Sequence, residues 1–165
     1  NEELTKLNLP SLRKVGASFL YYNKELKKFN APFLEQIGGG FLLHNKGLTE
    51  LNLPALKIVD DFFVSGNEQI SKFNAPCLEQ VGERFLLYNK GLTELNLPAL
   101  KKICVGFNLE DKPNLQKINV GFLTQKQIDL ILANNKIKKN IKSDDNYLKN
   151  RLMLRSVLNK RHKYL

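Results

Sequence analysis

Residues 34–56 read LEQIGGGFLLHNKGLTELNLPAL, and residues 78–100 read LEQVGERFLLYNKGLTELNLPAL. Nineteen of these 23 aligned positions are identical, and the two copies lie 44 residues apart. Each 44-residue unit divides into two similar halves, because an apolar residue recurs every 22 positions. The recurring residues are Leu4, Leu26, Leu48, Ile70 and Leu92. A fixed period of this length is typical of solenoid proteins, in which each repeat forms one coil.

The two halves of the unit differ in one motif, which is LNLP in odd coils and FNAP in even coils. The motifs lie at residues 7–10, 51–54 and 95–98 for LNLP, and at residues 29–32 and 73–76 for FNAP. Phe is accompanied by Ala, and Leu by Leu, so the two motifs have similar volumes. Close packing between stacked coils requires such a match. A sixth, degenerate copy ends near residue 122.

Local patterns within each coil predict strands and turns. The stretch Leu7-Asn8-Leu9 alternates as a short strand does, and the following Pro ends it. Gly16, Gly38 and Gly82 share one column, which we interpret as a turn. The apolar run at 41–43 fits either a second short strand or a turn.

Asparagine occupies a fixed position after that apolar run, at residues 23, 45, 67 and 89. A buried Asn can hydrogen-bond the backbone of its own bend and of the adjacent coil. We therefore predict an architectural Asn ladder in this column rather than a catalytic site.

These motifs resemble leucine-rich repeats, and more specifically the bacterial BspA-like family. The resemblance rests on the strand ending in Pro at 51–54, the Val81-Gly82 pair and Phe85, and it covers residues 4–122. The chain departs from the family's pattern in its Phe-Leu-Leu run and in the Asn that follows it. The resemblance implies an α/β-type repeat: a curved right-handed solenoid with short parallel strands lining a concave face. It also implies binding, at a bacterial cell surface or in a secreted protein.

The net charge of +10 is concentrated at the end of the chain. Residues 123–165 carry 11 Lys and Arg against 3 Asp and Glu, whereas residues 1–122 are nearly balanced. Amphipathic patterns in this segment predict a basic C-terminal α-helical cap for the solenoid. The alternative is a basic helix that binds an anionic membrane surface or nucleic acid. Nucleic-acid motifs are absent and aromatic residues do not interleave with the basic ones, so we do not expect a nucleic-acid partner.

No constellation of residues indicates catalysis, a metal site or a cofactor. His44 belongs to a repeat column that also holds Tyr22, Gly66 and Tyr88, so it is a repeat variant. Cys77 and Cys104 occupy different repeat positions, which argues against a disulfide and predicts single buried thiols. We expect no enzyme.

Two surfaces are candidates for binding. The first is the outward row of the main strand, which is polar and mixed in charge. Its members are Lys6, Asn8, Lys28, Asn30, Glu50, Asn52, Lys72, Asn74, Glu94 and Asn96. The second is an apolar stripe, which exists only if the Phe-Leu-Leu run is a regular strand. Its members are Leu20, Tyr22, Leu42, His44, Val64, Leu86 and Tyr88.

The resulting hypothesis is a non-enzymatic module that binds a protein or a glycan along the strand face. Tail-driven binding to an anionic surface is one alternative, and a structural spacer or oligomerisation element is another. Asn1 stands just before a repeat and no initiator Met is present, which suggests a processed chain or a fragment.

Overall fold

The computed structural model describes residues 3–16, 18–103 and 112–121. These residues form a parallel-strand β-solenoid of about five turns. They contain eleven short strands and no helix. The strands are β1 (Lys6–Asn8), β2 (Lys14–Val15), β3 (Lys28–Asn30), β4 (Gln36–Ile37), β5 (Glu50–Asn52), β6 (Ile58–Asp61), β7 (Lys72–Asn74), β8 (Gln80–Glu83), β9 (Glu94–Leu97), β10 (Lys102–Ile103) and β11 (Lys117–Val120).

The odd-numbered strands stack along one side of the solenoid and are called the first strand row. Pairing is parallel and keeps equivalent repeat positions opposite each other, so Leu7 faces Phe29 and Leu51 faces Phe73. Alternation along each strand buries this central residue and turns its neighbours outward. The row consists of two ladders, β1–β3 and β5–β7–β9–β11, with an interruption between β3 and β5.

The even-numbered strands form a second strand row, which is continuous from β2 to β10. The expected turn at the glycine column was wrong, because Gly82 lies inside β8 and Gly38 directly follows β4. The physical reason for a small residue here is close approach between coils. A Cβ atom built on Gly82 would lie 1.4 Å from the carbonyl oxygen of Asp60.

The Phe-Leu-Leu run forms a third side, called the left-handed row, which comprises residues 18–22, 40–44, 62–66 and 84–88. Every second residue here has positive φ in most coils, including Leu42 at 51° and Val64 at 50°. Isolated bridges at Phe19, Phe41 and Phe63 replace a continuous strand ladder. Backbone hydrogen bonds still join the coils, as from the N–H of Leu42 to the carbonyl of Phe19 at 2.9 Å. The run is therefore not a regular strand, and its geometry turns adjacent side chains to the same, inward side. Phe41 and Leu42 are both fully buried.

The core is made of apolar columns that run through all the described coils. The most distinct is a stack of phenylalanine rings, in which centroids lie 5.7 Å apart from Phe41 to Phe63 and 5.1 Å apart from Phe63 to Phe85. Phe73 packs against both Phe63 and Phe85 from the first strand row. One coil cannot bury these residues alone, so stability depends on contacts between neighbouring coils.

The α/β-type class does not describe the solenoid, because both rows that flank the core are β and the connection between them contains no helix in the described coils. The α-helical cap and the segment 123–165 lie outside the described residues.

Replacing Gly82 with alanine is expected to lower the free energy of unfolding by about 1–3 kcal/mol, the usual range for overpacking. The added methyl group would overlap a backbone atom of the preceding coil, which cannot move without disturbing the second strand row. Gly16 is a control from the same repeat column, because a Cβ there meets nothing within 4 Å. Chemical denaturation of the two variants measures the difference, and equal losses would contradict the close approach.

Candidate functional site

The buried Asn column is an architectural ladder, as the sequence predicted. The side-chain oxygen of Asn67 accepts the backbone N–H of Asn45 at 2.7 Å, and that of Asn89 accepts the backbone N–H of Asn67 at 2.8 Å. The amide nitrogen of Asn67 donates to the carbonyls of Leu42 and Ser65. Asn45 and Asn67 thus each join their own bend to both adjacent coils, and the fold occupies their polar atoms.

The outward residues of the first strand row form the polar strand row, which is the first binding surface expected from the sequence. All ten expected members are exposed or partly exposed, and equivalent positions align one coil apart. The asparagines bond one another along the row, as in Asn30 to Asn8 at 2.7 Å and Asn74 to Asn52 at 2.7 Å. These contacts hold the amides in fixed orientations while leaving other lone pairs and protons towards solvent.

Charges along the polar strand row alternate from the third coil onward. Lys72 pairs with Glu50 at 3.7 Å, and Lys117 pairs with Glu94 at 3.4 Å. Lys6 and Lys28 instead stand opposite each other with the same charge. The row is therefore neutralised at one end and basic at the other.

The candidate apolar stripe does not exist as a continuous surface. Leu42, Val64 and Leu86 are fully buried, since the left-handed row turns them inward beside the Phe stack, and Leu20 is half-buried. Of the three remaining members, Tyr22 is exposed and stacks on partly exposed His44, with ring centroids 5.0 Å apart, and Tyr88 is exposed. The third position of that column, Gly66, lies against the His44 imidazole.

Two exposed phenylalanines were not singled out from the sequence. Phe33 lies beneath the Arg13 guanidinium, and Phe62 lies 3.3 Å from that of Arg84. They occupy different repeat columns, so periodicity gave no signal for them. Cys77 is exposed and carries a free thiol, so the expectation of a buried thiol was wrong for this residue. Cys104 lies outside the described residues.

A row of charged residues precedes the second strand row. Glu35 binds Lys57 at 2.9 Å and Arg13 at 2.8 Å. Hydrogen bonding and attraction from Lys57, followed by those from Arg13, lower the pKa of the Glu35 carboxyl. Such mutually satisfied charges indicate a solvated surface rather than a site that titrates near neutral pH.

A cleft opens at the interruption of the first strand row and is called the basic cleft. Its volume is about 580 Å³. Its lining residues are all polar except one glycine: Lys24, Glu25, Lys27, Lys28, Lys46, Gly47, Thr49 and Gln69. Of the residues expected from the sequence to bind a ligand, only Lys28 lines it. The sequence signal for this feature is the local excess of lysine in the second coil.

No cluster of three or more His, Cys, Asp or Glu residues that could hold a metal ion occurs within 3–16, 18–103 and 112–121. In the same part of the chain, no helix is long and apolar enough to cross a membrane. The chain matches no family model, no curated protein and no solved structure.

Proposed function

We propose that this protein is a non-enzymatic binding module that holds an extended protein or glycan along the polar strand row. The observation that carries the proposal is the register of that row. Identical or similar polar groups recur one coil apart, at the strand separation of about 4.8 Å, on a backbone fixed by parallel pairing. A ligand with its own linear repeat could contact several coils at once, and little ordering of the protein would be needed.

The other conspicuous columns support this choice because the fold already uses them. The buried Asn column satisfies backbone groups, and the Phe column fills the core. The resemblance to bacterial BspA-like leucine-rich repeats supports a binding role as well, since such repeats commonly bind their ligands on a strand face.

A charge-swap variant tests the polar strand row without changing net charge. Glu50→Lys combined with Lys72→Glu retains an ion pair of opposite polarity at the same place. The labelled 165-residue chain is first applied to a glycan microarray and a peptide-display library. The affinity of the selected oligosaccharide or peptide is then measured. We expect the swap to weaken that affinity about tenfold, which corresponds to about 1.4 kcal/mol.

The matched control is the swap Glu79→Lys with Lys101→Glu, which inverts an ion pair of 3.2 Å just before the second strand row. This control is expected to bind as the natural chain does. A selected ligand whose affinity falls only with the control swap would place binding elsewhere. Failure to select a ligand from either library would count against a binding module.

A further inference from the structure

The interruption between β3 and β5 is a local separation of two coils. At the neighbouring junctions, a residue just before the strand donates its backbone N–H to a carbonyl of the preceding coil. Ser71 donates to the carbonyl of Thr49 at 2.8 Å, and Lys27 donates to that of Thr5 at 2.9 Å. Among the described residues, no such bond joins the N–H of Thr49 to the carbonyl of Lys27.

The separation is confined to one side of the solenoid. The second strand row continues across the same junction through the pairing of β4 with β6. The buried ladder also continues, since the N–H of Asn23 donates to the side chain of Asn45 at 3.0 Å. The coils are therefore hydrogen-bonded on two sides and lack strand pairing on the third, where the basic cleft lies.

Hydrogen-bonding groups at the cleft are left available for a ligand. The hydroxyls of Ser71 and Thr93 each bond a carbonyl of the preceding coil, at 3.1 Å and 3.0 Å. Thr49 occupies the same column but makes no such bond in the described structure. Thr49 lines the cleft, and a threonine hydroxyl can both donate to and accept from an oxygen-rich ligand.

The charge at the cleft is not balanced by the protein. Four lysines and one glutamate line it, and none of the four lysines has an ion pair within the described residues. The position of Lys27 is held by Thr or Ser in the other described coils up to Thr93. Lys28 stands opposite Lys6 of the preceding coil, and Glu50, the equivalent residue of the next coil, pairs with Lys72 instead. The excess positive charge is thus specific to this junction.

We propose that the basic cleft binds carboxylate or sulfate groups of an acidic polysaccharide that lies along the polar strand row. This inference rests on the proposed function and names the chemical class of its ligand. Lysine ammonium groups form charge-assisted hydrogen bonds with such anions, which are stronger than neutral ones. The volume of about 580 Å³ lies within the range of ligand pockets, about 300–1,000 Å³.

The lining favours a sugar over other anionic macromolecules. No aromatic or aliphatic side chain lines the cleft. Protein interfaces place aromatic or apolar anchors at their centre, and single-stranded nucleic acid requires stacking platforms. Thr49 and Gln69 instead offer neutral groups that suit sugar hydroxyls, beside cations that suit the acid groups.

The test uses dextran sulfate as the acidic probe and neutral dextran as its uncharged counterpart. The variant replaces Lys24, Lys27 and Lys28 with glutamine in the full chain. Its affinity for dextran sulfate is expected to fall about tenfold. The dependence of log affinity on log salt is expected to become shallower by about 2–3, since fewer counterions are released. Circular dichroism melting checks that the variant is folded.

The matched control removes the same charge elsewhere, by replacing Lys14, Lys90 and Lys102 with glutamine. These lysines are exposed, and none has an ion pair within the described residues. The control is expected to change the affinity less than twofold. An equal loss in both variants would show that net charge, not the cleft, drives binding and would overturn the proposal.

Two further results separate the possible failures. If the Glu50/Lys72 swap weakens binding of the selected ligand while the cleft variant binds dextran sulfate normally, the proposed function stands and the cleft assignment fails. If the cleft variant instead loses affinity for phosphatidylserine vesicles or duplex DNA more than for dextran sulfate, the polysaccharide assignment is wrong. If neither variant alters any binding, both proposals fail.

Discussion

Replacement of Asn67 with alanine is expected to destabilise the solenoid by about 3–5 kcal/mol, because each buried polar group left unpaired costs about 1–3 kcal/mol. Asn67 is fully buried, and its side chain satisfies the backbone N–H of Asn45 and the carbonyls of Leu42 and Ser65. Alanine supplies neither donor nor acceptor. The loss falls between two coils, where a solenoid has no alternative contacts to compensate.

Urea denaturation of the full chain measures this effect. The matched control is Asn74→Ala, which removes a partly exposed Asn of the polar strand row that bonds Asn52 and Asn96. Water can replace those bonds, so a loss of about 1 kcal/mol or less is expected. Equal losses for the two variants would mean that the buried column does not carry the structural role assigned to it.

The second large effect is expected for Phe63→Ala, at about 3–5 kcal/mol, the range for removing a buried aromatic side chain. Phe63 is fully buried between the rings of Phe41 and Phe85 and also touches Phe73. Its removal leaves a cavity in the middle of the column, and the neighbouring coils are held apart by their own backbone pairing and cannot close it.

The adjacent residue provides the control for the phenylalanine column. Phe62 is 36% exposed and contacts Arg84 through its ring face. Phe62→Ala is expected to cost about 1 kcal/mol, the strength of an exposed cation–π contact. Thermal melting and urea titration of both variants compare them. A larger loss for Phe62 than for Phe63 would contradict the inward placement of the Phe column.

Much of the stacking could be predicted from the sequence, because the period of 22 residues places equal side chains one coil apart. The buried Asn ladder is confirmed. The alternation of inward, outward and inward side chains is also confirmed, at residues 51–53 and 73–75. The second strand row was missed, since its strands are as short as Lys14–Val15 and two residues show no alternation.

The positive φ angles of the left-handed row could not be predicted from the sequence, for a different reason. Positive φ costs leucine and tyrosine roughly 1–2 kcal/mol per residue. Their presence in the sequence therefore does not predict a left-handed backbone. Leu42 and Leu86 adopt it at 51° and 58° because the inward turn buries them completely. Packing between coils thus overrides local preference, and the candidate apolar stripe is absent for that reason.

The candidate site was predicted only in part. The alternation of polar and apolar residues predicted the exposed polar side chains of the first strand row. It did not predict the interruption between β3 and β5, since equivalent repeat positions predict equivalent pairing at every junction. The lysines at 24, 27 and 28 were visible as residues. These lysines line one cleft because strand pairing is interrupted between two coils. The repeat period does not predict that interruption.

The most direct test of the account is amide hydrogen exchange of the full chain, resolved to single residues by NMR. The central claim is that coils stack in register and that the buried Asn side chains bind the backbone N–H groups of preceding coils. The amides of Asn23, Asn45 and Asn67 are therefore expected to exchange as slowly as those of paired strand residues, although they lie outside any strand. Exchange at the rate of exposed loops for these three amides would contradict the stacked solenoid.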